Sequence, residues 1–350
     1  MIVVLIKRYT EISIGHKQNI IYSRFKILLV TFQEKRFLVT GGAGFIGNEV
    51  VRQLLDKGST VTVFDNFSSG KKNYLPNHKK LKIIRGNVTN ENDIKKAIKN
   101  QEAVINLAAL PFIPDSYNHP ADFFNVNTIG SVNMILQSIK SKTVDIFVQI
   151  STSEVYGTAQ KIPMDENHPT FPHSTYAVSK LAADRAAFTL HKEHDFPTVI
   201  IRPFNSFGPR FTQPYIIPEI IKQISTNNEL KLGNVKSSRD FTFVSDTAGA
   251  ILNATKEKRA IGEVINVGSG YDVTILKLAN TILKLLNKKA KIIYDKNRKR
   301  PFDVNKLVCD NSKAKRILKW RPAISLEEGL KQTLDWANGN NIVLNSAFKS

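Results

Sequence analysis

The chain reads as α/β: a doubly wound, Rossmann-type parallel sheet followed by a smaller C-terminal α/β substrate domain. Three observations predict this. A glycine-rich turn, Thr-Gly-Gly-Ala-Gly-Phe-Ile-Gly at 40–47, joins a short apolar run to a helical stretch. An acid, Asp65, closes the next strand, 18 residues after Gly47. Short β-type runs then alternate with helical patterns as far as Arg202, which implies parallel strands joined by crossover helices.

The elements follow in order. Residues 35–39 predict the first strand, 48–57 the first helix and 60–64 the second strand. Further strands are expected at 81–85, 103–107, 145–150 and 197–202, the last closing the series, with helices at 93–99, near 121–138 and across 179–191. Gly41 and Gly44 permit a tight turn and close backbone approach to a pyrophosphate, Gly47 lets the helix pack on the strand, the helix N-terminus faces the anion, and Phe45 and Ile46 within the turn are further expected cofactor contacts. Asp65 stands where an acid accepts hydrogen bonds from the adenosine ribose and repels a 2′-phosphate, so NAD is expected rather than NADP. In such sheets the ligand lies at the carboxyl ends of the strands, where Asn106–Ala109 and Ser151–Thr152 fall.

Composition narrows the classes. The 350 residues are 42% hydrophobic and 23% charged, ordinary for a globular protein. The formal charge of +20 raises nucleic acid, but the basic residues are spread along the chain, and the densest cluster, 296–300, is short. No nucleic-acid partner is expected, and a basic surface attracts a small anionic substrate. A single cysteine, Cys309, excludes an internal disulfide, fits a reducing compartment such as the cytoplasm, and reads as a buried thiol. No apolar run approaches the ~20 residues of a membrane span. The seven His show no metal spacing, His191 and His194 read as surface residues, and no metal is expected. Residues 1–34 read as an extension, with the NAD-binding domain at 35–205 (239–262 returning to it), the substrate domain at 206–340 and a tail at 341–350.

The ordered motifs resemble the extended short-chain dehydrogenase/reductase family, the group that modifies nucleotide sugars. They are the glycine turn, Asn-Leu-Ala-Ala at 106–109, Asn127, Ser-Thr-Ser-Glu-Val-Tyr-Gly at 151–157, and Tyr176 with Lys180. They continue with Arg-Pro-Phe-Asn at 202–205, Gly-Pro-Arg at 208–210, Arg239-Asp240-Phe241, Asn266–Gly270 and Arg300–Val304. Two positions depart from the pattern: Asn106 replaces a frequent His, and Asn87 replaces an Asp that usually meets the adenine.

The resemblance implies that Tyr176 takes a proton from a sugar hydroxyl, that Lys180 one turn away supplies the cation this phenol needs, and that Thr152 holds the same hydroxyl. It implies Leu107, Ala108, Ala109, Asn127 and Asn87 as further cofactor contacts, and Asn205, Arg210, Arg239 and Arg300 as diphosphate contacts. A carboxylate at Glu154 is surplus to oxidation alone. It fits removal of the C5 proton after C4 oxidation, with Ser153 as relay or hydrogen-bond donor, as in nucleotide-sugar 4,6-dehydratases. Two relatives compete, the 4-epimerases, which need no base at C5, and the UDP-glucuronate decarboxylases, which share the Thr-Ser-Glu run. A different class, an inactive NAD- or RNA-binding relative, conflicts with the presence of Tyr176, Lys180 and the glycine turn. Relatives of this kind pair as homodimers.

Overall fold

The structure is a computed structural model that describes residue 32, residues 34–298 and residues 303–340. Most of the expected N-terminal extension, the tail and Arg300 lie outside the described residues.

Seven parallel strands form the main sheet. Its strands are β1 (Arg36–Thr40), β2 (Thr60–Asp65), β3 (Leu81–Arg85), β4 (Ala103–Asn106), β5 (Ile146–Ile150), β6 (Thr198–Pro203) and an edge strand at Val264–Val267. Across the sheet they run 264–267, β6, β5, β4, β1, β2, β3. The order reverses between β1 and β4, so crossovers leave these neighbours in opposite directions and open a crevice above their carboxyl ends. The series does not close at β6. Val264 pairs with Ile200 and Val267 with Pro203, so this short run, expected in the smaller domain, completes the large sheet.

Buried branched residues fill both faces, as a sheet covered on two sides requires. On one face, helix α1 (Phe45–Asp56) packs Val50, Val51 and Leu54 against Val39, Val63 and Ile105, beside the later helix Val244–Ala254. On the other lie α2 (Glu91–Ile98), α3 (Gly130–Ser141) and α4 (Thr175–His194), which cover Leu38, Val104 and Phe147.

Two helices differ from expectation in ways that matter. Helix α1 starts at Phe45, so the last three residues of the glycine motif form its first turn. Helix α4 starts at Thr175 because Ser174 caps it, its hydroxyl accepting from Ala177 N–H, and this places Tyr176 and Lys180 on one rigid rod. His191 on that helix is buried, with Nδ1 2.8 Å from the Phe196 carbonyl, and is not the surface residue expected. The stretch expected as one helix near 121–138 contains a π-helical turn, Phe124–Ile129, ahead of α3.

The remaining strands are β7 (Asn205–Phe207), β8 (Glu229–Leu232), β9 (Ser238–Phe243), β10 (the edge strand Val264–Val267), β11 (Asp272–Thr274) and β12 (Lys291–Tyr294). Strands β11, β9 and β7 form a three-stranded sheet, while β12 and β8 pair. Ile220, Ile221, Leu230, Phe207, Phe243, Leu278 and Leu330 build a second core around them. Asp246, in the first turn of the helix Val244–Ala254, ties in the C-terminal segment: its Oδ2 accepts from Ala323 and Ile324 N–H, each at 2.9 Å. Cys309 is buried, and burial pushes its thiol up, as expected of an inert core residue.

Candidate active site

A cleft of about 810 Å³ opens at the β1/β4 switch point and runs to the smaller domain. Its cofactor end is built by backbone. Gly41 adopts φ 63°, and a Cβ there would stand 2.9 Å from Ala108 N. A Cβ at Gly47 would stand 2.1 Å from the Gly41 carbonyl oxygen, closer than side chains tolerate, so glycine is required. The α1 N-terminus has no side-chain cap, leaving the amides of Phe45, Ile46 and Gly47 directed at the cleft they line.

Asp65 locks this turn. Its Oδ2 accepts from Ala43 N–H at 2.9 Å and its Oδ1 from Phe67 N–H at 2.8 Å. Burial raises its pKa, and these two donors pull it back down. Asn87 lines the same end, its Oδ1 accepting from Thr89 N–H in a local turn. Leu107, Ala108 and Ala109 form the opposing wall. Asn106 lies beneath it: its Oδ1 accepts from the Thr40 hydroxyl at 2.6 Å and its Nδ2 donates to Gln149 Oε1 at 2.9 Å. This departure therefore sits in a buried polar network below the cleft.

Midway along the cleft stand Thr152, Glu154, Tyr176 and Lys180. Thr152 ends an extended segment, and its hydroxyl accepts from Glu154 N–H, capping a 3₁₀ turn, Ser153–Tyr156. That turn sends Glu154 to the cleft and Ser153 into the interior, so Ser153 does not line the site as a relay should. Burial pushes the Tyr176 phenol up to about 12, the nearby Thr152 hydroxyl opposes this, and the Glu154 charge adds to it. Lys180 donates to the Ile150 carbonyl at 2.6 Å. Burial lowers its ammonium to about 8, with Asp184 one turn on partly restoring it. The lysine thereby anchors the end of β5.

Asn127 is fully buried and absent from the cleft wall. Its side chain accepts from Leu110 N–H at 2.7 Å and donates to Leu110 O and Ser179 Oγ, so it holds the post-β4 loop onto α4.

At the far end, Asn205 and Arg239 line the cleft. Arg239 pairs with Asp303 at 3.1 Å and donates to the Ser238 carbonyl. Arg210 does not face the cleft. It grips α1 from the smaller domain, donating to Asn48 Oδ1 at 2.9 Å and Glu49 Oε2 at 2.7 Å, because its φ of 63° turns the chain back onto that helix. Arg298, passed over as part of a surface basic cluster, lines the site and pairs with Glu219 at 2.8 Å. Tyr215 was also missed; its hydroxyl donates to the Pro111 carbonyl and its ring meets Phe112, closing one wall from both domains.

Two buried cleft atoms, Ser151 Oγ and Asn205 Oδ1, have no hydrogen-bond partner among the described residues. Buried polar atoms are nearly always paired, so both point to a polar ligand. With the glycine cradle and the uncapped helix start, they fit a dinucleotide at one end and a second polar molecule at the other.

The GDP-mannose 4,6-dehydratase family profile matches residues 38–333. A UDP-N-acetyl-alpha-D-glucosaminuronate decarboxylase of Bacillus cytotoxicus is 32% identical over 321 residues, covering 87% of this chain and 98% of its own. The dTDP-glucose 4,6-dehydratase DesIV of Streptomyces venezuelae, solved with NAD bound, superposes with a TM-score of 0.82 at 26% identity, over 87% of this chain and 98% of that one. The UDP-glucose 4-epimerase of Thermotoga maritima, solved with UDP-glucose, gives 0.81 at 30% identity, over 87% and 99%. The chain belongs to the GDP-mannose 4,6-dehydratase family within the extended short-chain dehydrogenases/reductases, NAD-dependent epimerases and dehydratases whose members are enzymes acting on nucleotide sugars.

Proposed function

We propose that the protein is an NAD-dependent nucleotide-sugar 4,6-dehydratase. The observation that carries this reading is the Glu154 carboxylate, directed into the cleft by the 3₁₀ turn and close enough to Tyr176 to raise its pKa. Bound in this cleft, NAD supplies a positively charged hydride acceptor at the start of the cycle and a hydride donor at its end.

The chain's own residues do the rest. Thr152 and Tyr176 hold the C4 hydroxyl, and Tyr176 takes its proton as a ketone forms at C4, acting as the phenolate, a form that nearby positive charge would favour against the upward push of burial. The C5 hydrogen is then acidic, because its loss gives an enolate of that ketone. Glu154 takes this proton. With Ser153 off the cleft wall, Glu154 is also the group that returns it to the departing C6 hydroxyl, which leaves as water. The C5–C6 alkene accepts hydride at C6 and a proton from solvent at C5, while Tyr176 returns to solvent the proton it took at C4, giving a 4-keto-6-deoxy sugar. Asn205, Arg239 and Arg298 face the diphosphate end, where guanidinium forks suit phosphate oxygens. The segment Phe211–Pro218, which resembles that of dehydratases acting on N-acetylated sugars, makes an N-acetylated hexosamine nucleotide one candidate substrate.

A 4-epimerase is the second reading, favoured by one observation: Ser153 adds no donor to the cleft, so only Glu154 separates this site from one that oxidises and reduces at C4. Mass spectrometry on UDP-, GDP-, dTDP- and CDP-sugars distinguishes them. Loss of one water supports dehydration, recovery of the intact C4 epimer overturns it, and loss of carbon dioxide from a glucuronate indicates decarboxylation. Glu154→Gln tests the base directly. It should abolish product while reduced cofactor still forms, and unchanged turnover removes Glu154 from the mechanism. A homodimer belongs to the same reading: Phe124, Ile129 and Val178 are exposed on adjoining helical segments of the cofactor half, and sedimentation measures whether they pair.

A further inference from the structure

Behind the catalytic wall lies a polar assembly that none of the chemistry above uses. Arg202 on β6 is buried, and its guanidinium is fully engaged. Nε donates to Asp184 Oδ2 at 2.8 Å and Nη2 to Asp184 Oδ1 at 3.1 Å, while Nη1 donates to Tyr156 Oη at 2.9 Å. The guanidinium also packs over the Tyr156 ring, 4.9 Å from its centroid. Tyr156 Oη in turn donates to Asn266 Oδ1 at 2.8 Å, on the neighbouring edge strand β10. Asn266 is itself fixed, its N–H donating to Glu166 Oε1 and its Nδ2 to the Met164 carbonyl.

The position of the two ends gives this assembly its meaning. Asp184 lies on α4 one turn beyond Lys180 and two beyond Tyr176. Tyr156 closes the 3₁₀ turn that carries Glu154 and is capped by Thr152. The four side chains of the active site therefore come from two short segments, and Arg202 ties the back of one to the back of the other. A bidentate guanidinium–carboxylate pair has fixed geometry, and a third bond from the same planar group fixes the tyrosine relative to it. The charges suit a permanent bond: burial alone would raise the Asp184 pKa, but Arg202 and Arg185 hold it below the ordinary carboxylate value.

We propose that Arg202 and Tyr156 are positioning residues, and that the Asp184–Arg202–Tyr156 strut sets the spacing of Thr152 and Glu154 relative to Tyr176 and Lys180. Neither residue touches substrate. The inference rests only on the oxidation at C4, which the dehydratase and epimerase readings share. A displacement of about 1 Å at such a site costs up to 100-fold in rate.

The test uses the full-length, NAD-loaded protein with Tyr156→Phe, which removes one hydroxyl and keeps the ring. The expected result is a fall of about tenfold in kcat, with KM within about twofold of wild type and bound NAD per chain unchanged. Hydrogen–deuterium exchange on the NAD-free protein should quicken in peptides covering 152–157 and 175–184 while those covering 36–65 hold. Arg202→Lys keeps the charge but not the fork, and should lose more rate than Tyr156→Phe. If it does not fold, Tyr156→Phe decides alone. Wild-type kcat in folded, NAD-loaded Tyr156→Phe overturns the proposal, as does a loss wholly explained by missing NAD. If wild-type protein turns over no nucleotide sugar, the reaction reading fails separately, and the strut stands or falls on the exchange result.

Discussion

Replacing Gly47 by alanine should abolish cofactor binding while leaving a folded protein. The added Cβ would stand 2.1 Å from the Gly41 carbonyl oxygen, 2.8 Å from the Gly42 Cα and 2.9 Å from the Gly41 carbonyl carbon. All three neighbours are backbone, so no flexible side chain can step aside. Relief requires the start of α1 and the 41–44 turn to part by about 1 Å or more, given ordinary contact distances. Overpacking of this kind costs about 1–3 kcal/mol of stability. The greater loss falls on binding, because the amides at the helix start move away from the pyrophosphate they serve. Two charge-assisted hydrogen bonds at about 1.5–3 kcal/mol each correspond to at least 100-fold in Kd. Gly44→Ala is the graded comparison, since its Cβ would lie 3.1 Å from the same oxygen and needs only tenths of an ångström. Gly339→Ala, with nothing within 4 Å, is the neutral control. Fluorescence titration with NAD and thermal melting with and without NAD read all three. NAD affinity in Gly47→Ala within about twofold of wild type, or a larger loss in Gly44→Ala, would refute the steric argument.

Two other outcomes follow from the site. Lys180 titrates at about 8 when folded against an ordinary value of 10.5, a difference of about 3 kcal/mol. The folded value is the lower, so the unfolded chain binds the extra proton between about pH 8 and 10.5, and stability rises with pH across that window. The stability gap between Lys180→Met and wild type, from urea unfolding of NAD-free protein, should shift toward wild type by about 2–3 kcal/mol over that range, and a pH-independent gap removes the argument. Arg210→Ala should cost about 1–2 kcal/mol in unfolding experiments through loss of the Glu49 and Asn48 bonds, with KM within about twofold; a tenfold rise in KM with unchanged melting would return Arg210 to the substrate.

The sheet was legible because its strands are short apolar runs closed by turn residues, and the cofactor end because backbone geometry there admits only glycine at Gly41 and Gly47. Asp65, Thr152, Glu154 and Tyr176 could be named from spacing, and all four reach one cleft. Side-chain direction was less accessible. Ser153 and Glu154 are neighbours that a 3₁₀ turn sends opposite ways, and the turn depends on Thr152 capping it. Asn127 sits in a π-helical turn, and no periodicity signalled that its amide would close on Leu110. Arg210 follows a Gly-Pro pair whose left-handed successor aims it at α1, while β10 is four residues long and looked like part of the smaller domain.

That late strand has a consequence for how the chain is made. β6 remains an open edge until Val264–Val267 arrives, after the first part of the smaller domain has been synthesised. Pairing Ile200 with Val264 is a long-range closure, the slow kind of step in folding. A nascent chain ending near 205 would therefore present an unpaired β6, a strand wholly buried in the folded protein, as a template for aggregation, and would lack the Asn266 that seats Tyr156. Truncation at the apparent domain boundary should yield an insoluble fragment, so the two halves are best regarded as one cooperative unit whose catalytic wall sets only when translation is nearly done.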